Sequence, residues 1–121
     1  MEHIVFGRDG ESVAAQYLEN RGYRIIERNF RSRTGEIDLI ARFGVTIVFI
    51  EVKTRHSTKY GQPGEAVTWQ KQGKILRTAT AYLVRRGWMD RLCRVDVIEI
   101  LYKKDGTYKL NHIINAFGLD R

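Results

Sequence analysis

Gly35-Glu36-Ile37-Asp38-Leu39-Ile40-Ala41 and, a short interval later, Ile50-Glu51-Val52-Lys53-Thr54-Arg55 decide the reading of this chain. Both stretches are apolar enough to be buried strands. Yet they carry Glu36, Asp38, Glu51 and Lys53, and ionised side chains are rarely buried unless they are paired or hold a cation. Between them, Arg42-Phe43-Gly44-Val45 is short enough for an antiparallel hairpin. With Phe43 and Gly44 at the tip, Arg42 faces Val45, Glu36 faces Glu51 and Asp38 faces Phe49. Asp38 and Glu51 then become diagonal neighbours with α-carbons roughly 7–8 Å apart, and Lys53 shares their face.

Working outward, Val13, Ala14, Tyr17 and Leu18 recur at helical spacing between Arg8 and Arg21, with Gly22 as a stop. Residues 23–28 alternate as a strand, and 29–34 read as a polar connection rich in arginine. Residues 54–65, with Gly61, Pro63 and Gly64, read as a long loop. A second helix is expected from the cap Thr68 to about Arg86, ended by Gly87, with Ile75, Leu76, Ala79, Tyr82 and Leu83 as its apolar stripe. Arg94 to Tyr102 alternates as a strand, 103–106 is a turn, and 107–117 is a last strand. The order is α-β-β-β-α-β-β, an α/β chain with five strands.

At 121 residues and 43% hydrophobic content, a single domain with one core is expected over 1–121. Twenty-one Lys+Arg against 14 Asp+Glu give a formal charge of +7, which favours a polyanionic partner, nucleic acid foremost, over an acidic small molecule. The lone Cys93 cannot make an internal disulfide, and no second cysteine joins the three histidines in a zinc cluster. No signal-like N-terminus and no run of eighteen apolar residues occurs, so a reduced, cytoplasmic, non-membrane protein is expected.

The acids suit hydrolysis of a phosphodiester, which needs an attacking hydroxide, charge neutralisation on the phosphate and a stabilised leaving oxygen. Mg²⁺ or Mn²⁺ held by Asp38, Glu51 and the Val52 carbonyl would serve all three needs, because magnesium takes oxygen ligands and keeps several waters. Lys53 is the candidate to orient or deprotonate the water. Glu11 falls in line with Ala14 and Leu18 and so faces the sheet, as a further acid for the metal. Lys71, at the edge of the second stripe, is a candidate phosphate contact, as are Arg31, Arg33, Arg55 and Lys59 on flanking loops. Each residue has a bland counterpart. A solvated sheet face with cross-strand salt bridges accounts for Asp38, Glu51 and Lys53 equally well, and a helix-dipole acid accounts for Glu11. Lys71 can be a stripe-edge lysine, His56 a solvent-facing loop residue, and Trp69 and Trp88 packing residues that do not stack on bases.

A resemblance tips the balance. Asp38 on one strand followed by Glu51-Val52-Lys53 on the next resembles the PD-(D/E)xK nuclease superfamily. Gly10-Glu11 with Ala14-Ala15 and Tyr17-Leu18, Gly22-Tyr23, Arg28-Asn29-Phe30-Arg31, Gly35 to Ala41, Phe49 to Arg55, Ala66-Val67-Thr68 with Lys71, Ala81-Tyr82-Leu83 and Arg94-Val95-Asp96-Val97 are more closely similar to the YraN-like family of predicted bacterial endonucleases, over about residues 7–100. The resemblance implies a restriction-endonuclease-like three-layer fold, a mixed five-stranded sheet flanked by helices. It implies catalysis by Asp38, Glu51 and Lys53, with Glu11 in the helical acidic position of similar archaeal Holliday junction resolvases. Those enzymes act as homodimers on branched DNA, so DNA and a second copy of the chain are the implied partners. The superfamily's namesake proline is Ile37 here. The competing expectations are a non-catalytic nucleic-acid-binding module and, more weakly, a ribonuclease.

Overall fold

The computed structural model describes residues 9–56 and 67–118. Helix α1 (Gly10–Asn20) is started by Asp9, whose carboxylate accepts the Ser12 N–H at 2.8 Å. Strands β1 (Arg24–Ser32), β2 (Gly35–Phe43) and β3 (Thr46–Arg55) follow, then helix α2 (Trp69–Arg86) and strands β4 (Cys93–Tyr102) and β5 (Tyr108–Phe117). Thr68 caps α2 through the Lys71 N–H, and Gly87 closes it with a φ of 70°, a left-handed value that a glycine adopts without strain.

One mixed sheet runs in the order β1-β2-β3-β4-β5. Its hairpin and meander pairs are antiparallel, whereas β3 and β4 are parallel, with α2 in the connection between them. Alternation along β3 assigns its two faces. Val48 and Ile50 pack with Val13, Ala14, Ala15 and Leu18 of α1. Ile47 and Phe49 pack with Ile75, Leu76, Ala79, Tyr82 and Leu83 of α2. Among the described residues, one helix on each face makes three layers.

Two expectations change. Residues 29–32 extend β1 where a polar connection was expected, because Arg31 pairs with Glu36 and Ser32 with Gly35. β1 is an edge strand, where polar side chains are tolerated, and it buries Phe30. The hairpin tip also differs. Phe43 pairs with Thr46, so the turn is Gly44-Val45, with Gly44 at φ 61° in the first central position, as a type II′ turn requires. Phe43 stays in the strand and stacks on Tyr23 at 4.3 Å. The register moves by two residues, which keeps every side chain on its face. The regular ladder ends at Leu39 and Ile50, and Asp38 and Glu51 are the next residues level with each other.

Gly10 sets the distance of α1 from the sheet. A β-carbon there would overlap the Thr54 methyl and touch Val52 Cγ1 at 3.4 Å. Thr54 is exposed but restricted at χ1, so relief needs a rotamer change there or a shift of α1. Gly10→Ala is therefore expected to destabilise the fold by about 1–3 kcal/mol, the usual result of overpacking. Thermal melting checks this, and an unchanged melting temperature contradicts the close approach.

Candidate active site

Glu51 and Lys53 continue the Ile47–Phe49 alternation onto the α2 face at the C-terminal half of β3. The first turn of α2 passes over them. Glu51, only 8% exposed, receives Lys71 Nζ at 3.0 Å and Lys53 Nζ at 3.4 Å on its Oε2. Asp38 meets them from β2. Ile37 and Ile40 both pack under α2, a spacing that regular pleating forbids, so β2 turns about its axis at Asp38. Opposite this point on β1, Asn29 adopts φ 52°, the left-handed region that asparagine tolerates. In place of a further ladder bond, Asp38 Oδ2 accepts the Val52 N–H at 2.8 Å. Glu11 approaches from α1. With its carboxamide nitrogen turned toward the acid, Asn29 donates to both Glu11 oxygens, at 2.9 and 3.3 Å.

The electrostatics follow from this crowding. Burial, then the Glu51 charge and a weaker contribution from Glu11, push the Asp38 carboxyl up to about 7 against the lowering effect of the Val52 N–H. Burial and the neighbouring Lys71 lower Lys53, with Glu51 opposing. Burial disfavours the Lys71 charge too, but contact with Lys53 and Glu51 outweighs it and Lys71 is raised. Of two adjacent ammonium groups, one thus yields its proton more readily and the other holds it more firmly.

A raised carboxyl adds stability fully below its unfolded value of 3.8, and that contribution is lost as pH rises through about 7. In EDTA, Asp38→Asn, whose amide oxygen still accepts the Val52 N–H, is therefore expected to be more stable than wild type at pH 8, by on the order of 2 kcal/mol. The gap should close toward pH 4. Urea unfolding at both pH values checks the sign.

Asp38, Glu51, Val52, Lys53 and Lys71 line a cavity of about 420 Å³ with Gly35, Glu36, Lys74 and Ile75. Three oxygen-bearing side chains, Asp38, Glu51 and Glu11, converge on it or beside it. Their donor chemistry suits a hard divalent cation, and Asp38, whose charge burial and its acidic neighbours oppose, is the group a cation would relieve. Among the described residues, no three Asp, Glu, His or Cys groups form a ready-made ligand cage. A magnesium site does not require one, since one or two carboxylates with water and substrate phosphate suffice.

The other sequence candidates divide. Lys71 reaches the centre. Arg31 and Arg33 line a separate open groove with Thr34, Ala81 and Arg85 at the β1–β2 turn. Arg31 and Arg55 lie on strands, where loops were expected, because β1 and β3 extend further than the polar composition suggested. Lys59 lies outside the described residues. Glu36 is exposed on the cavity rim, His56 stacks on Tyr102 at 5.5 Å, and Trp88 lies under Arg86 and Arg91.

Sequence reading missed Lys74, although its i+3 spacing from Lys71 puts it on the same helix face. It also missed a buried network on the opposite face of the sheet. Asp96, fully buried, accepts from Arg94 Nε at 2.9 Å, the Asn115 N–H at 2.9 Å and His112 Nε2 at 2.8 Å. Arg94 also donates to the Tyr23 hydroxyl, and Tyr17 Oη lies 3.1 Å from His112 Nδ1. The one available signal was an acid inside the apolar run Val95-Asp96-Val97.

A family model described as uncharacterised protein family UPF0102 matches residues 10–100, a span that contains every residue of the carboxylate and lysine cluster. A UPF0102 protein of Alkaliphilus metalliredigens is 49% identical over 111 residues, covering 92% of this chain and 96% of the relative. One of Geobacter sulfurreducens is 50% identical over 115 residues, covering 95% and 90%. One of Symbiobacterium thermophilum is 51% identical over 111 residues, covering 92% and 94%. None of these names states an activity.

Proposed function

The chain belongs to the uncharacterised, YraN-like family UPF0102, and from the site itself we propose that it is a metal-dependent nuclease of the restriction-endonuclease-like type, hydrolysing phosphodiester bonds in DNA. One observation carries the reading. Asp38, Glu51, Lys53 and Lys71 meet in a single cavity, with Asp38 held there as an acid whose charge burial and Glu51 oppose. Two carboxylates and a lysine of lowered basicity, gathered where α2 crosses the sheet, are the parts that phosphodiester hydrolysis needs.

Asp38 and Glu51, with Glu11 and the Val52 carbonyl, would hold Mg²⁺ or Mn²⁺. When bound, the ion supplies Lewis-acid charge neutralisation at the phosphate and acidifies water. The remaining work belongs to the chain. The Val52 N–H fixes Asp38 Oδ2 in place. Lys53, lowered by burial and by Lys71, orients the nucleophilic water and takes its proton at Nζ. Lys71, raised by its neighbours, keeps its charge for a substrate phosphate. The basic groove at Arg31, Arg33 and Arg85 extends the path for the nucleic-acid backbone. A second copy of the chain would let this small domain cut both strands, and branched DNA is the substrate suggested by the resemblance to junction resolvases.

A second reading has one observation in its favour. Lys53 and Lys71 already neutralise Glu51, so the cluster would also serve a non-catalytic nucleic-acid-binding module. Metal binding separates the two. Mn²⁺ is expected to raise the melting temperature of wild type at pH 8 and to leave Asp38→Asn unmoved. Equal shifts in both proteins would place the ion elsewhere and count against the nuclease.

A further inference from the structure

Beyond Lys53, the same face of the sheet carries a second cavity, of about 380 Å³, lined by Arg55, Glu99, Leu101, Lys109 and Asn111. The register accounts for the grouping. Lys53 is level with Glu99 and Arg55 with Leu101 across the parallel pair, and β5 sets Asn111 beside Glu99 and Lys109 beside Leu101. Residues level with one another share a face, and neighbouring strands are about 4.8 Å apart, so this cavity lies one strand from Lys53.

Two of its walls are chemically incomplete. Glu99 is only 5% exposed, and its Oε1 accepts from Asn111 Nδ2 at 3.1 Å, but its buried Oε2 accepts nothing. The buried Nε of Arg55 donates to nothing. Glu99 and Arg55 are diagonal neighbours of opposite charge on adjacent strands, yet no ion pair joins them. Buried polar groups are normally satisfied, and two orphans on residues that line one cavity point to a partner that enters it.

We infer that this cavity receives an unpaired guanine of the nucleic acid bound at the adjacent carboxylate and lysine site, an inference that rests on the nucleic-acid reading above. Guanine alone among the bases presents two adjacent donors, N1–H and the N2 amino group, beside an acceptor, O6, on its pairing edge. A carboxylate takes the two donors, and Arg55 Nε–H donates to O6. Neither orphan atom is open to solvent, so the Glu99 carboxylate and the Arg55 guanidinium turn toward the void as the base enters. Thymine offers a single N–H between two carbonyls, one of which would oppose the carboxylate. Leu101 supplies an apolar wall for the ring, and Lys109 a cation for the flanking phosphate. Enzymes that read an extruded base do so through its pairing edge in a fitted pocket of this kind.

The test uses labelled duplexes carrying one unpaired guanine, one unpaired thymine or one abasic site. Binding is followed by fluorescence anisotropy in EDTA, which prevents metal-dependent cutting. Wild type is expected to hold the guanine probe about tenfold more tightly than the other two. Glu99→Gln, which replaces one acceptor oxygen by an amino group, should bring the guanine probe down to the abasic level. Equal affinity of wild type for all three probes, or tightest binding to thymine, overturns the guanine cavity and leaves the nucleic-acid reading standing. Failure to bind any probe overturns both. The wild-type comparison decides the matter without any variant having to fold.

Discussion

Glu51→Gln is expected to lower metal-dependent strand cleavage by about a thousandfold or more, because a metal ion's charge is worth several kcal/mol at a phosphodiester transition state. The substitution is nearly isosteric, but it removes the charge that Lys53 and Lys71 share at 3.4 and 3.0 Å. Two consequences separate loss of chemistry from loss of substrate. Binding of DNA should persist, since Lys71, Lys74 and the arginine groove keep their charges. Lys53→Met should also abolish cleavage while leaving Mn²⁺ binding intact, since its ammonium is not a metal ligand. Parallel measurement of kcat by gel and of Kd by anisotropy distinguishes these cases. A Glu51→Gln protein that cuts within tenfold of wild type contradicts the assignment.

The largest effect on stability is expected at Asp96, away from the proposed chemistry. This carboxylate is fully buried and accepts from Arg94, His112 and the Asn115 backbone. Burial alone would raise it, but the His112 and Arg94 hydrogen bonds outweigh burial and hold it below its usual 3.8. Asp96→Ala leaves a partly exposed guanidinium, the His112 ring and a backbone N–H without the fully buried acceptor they share, which costs about 3–5 kcal/mol. For a chain of this size that corresponds to a fall in Tm of roughly 10–20 °C. The sign of the pH dependence is opposite to that at Asp38. A depressed carboxyl contributes stability that is present above its unfolded value of 3.8 and lost as pH falls through its lower folded value. The gap between wild type and Asp96→Ala should therefore be full at pH 7 and shrink in strong acid. Calorimetry at the two pH values tests both size and sign.

The sequence was most legible where local rules act alone. Thr68 and Gly87 bracket α2 through their own backbone preferences, and the helix runs from Trp69 to Arg86 between them. Alternation through Ile47, Phe49, Glu51 and Lys53 depends only on the pleat, and it carried both charged residues to the face where α2 lies. Lys71, read from the edge of an apolar stripe, reaches Glu51 for the same reason. The hairpin register was harder, because Phe43-Gly44 and Gly44-Val45 both offer a glycine to a two-residue turn. Packing decides between them. Phe43 stacks on Tyr23, a residue separated from it by all of β1, and this holds it in the strand. The end of β1 was misread because an edge strand needs few apolar residues, so Asn29 to Ser32 carries the composition of a loop. The Asp96 network was illegible for a different reason. Tyr17, Tyr23, Arg94 and His112 come from four separate segments, and only the folded sheet brings them together.

A comparable distinction separates Asp96, which is fully buried, from Asp38, which is half-buried, in electrostatic terms. Asp96 is surrounded by donors and is complete without any added group. Asp38 has one backbone donor and two acidic neighbours, and although the Lys71 charge acts on it, burial and the acids prevail and its carboxyl is pushed up. That asymmetry directs the nuclease proposal to the β2–β3 end of the sheet and leaves Asp96 a structural part.

Nuclease activity is decided by cleavage, by purified wild type, of a labelled panel comprising duplex, flap, four-way junction, single-stranded DNA and RNA. Each is incubated with Mg²⁺ or Mn²⁺, and with EDTA as the blank. The expected products require the divalent ion, appear on DNA and are strongest on a branched substrate. Intact substrates under every metal condition, with tight binding retained, would contradict the nuclease proposal and make the chain a recognition module.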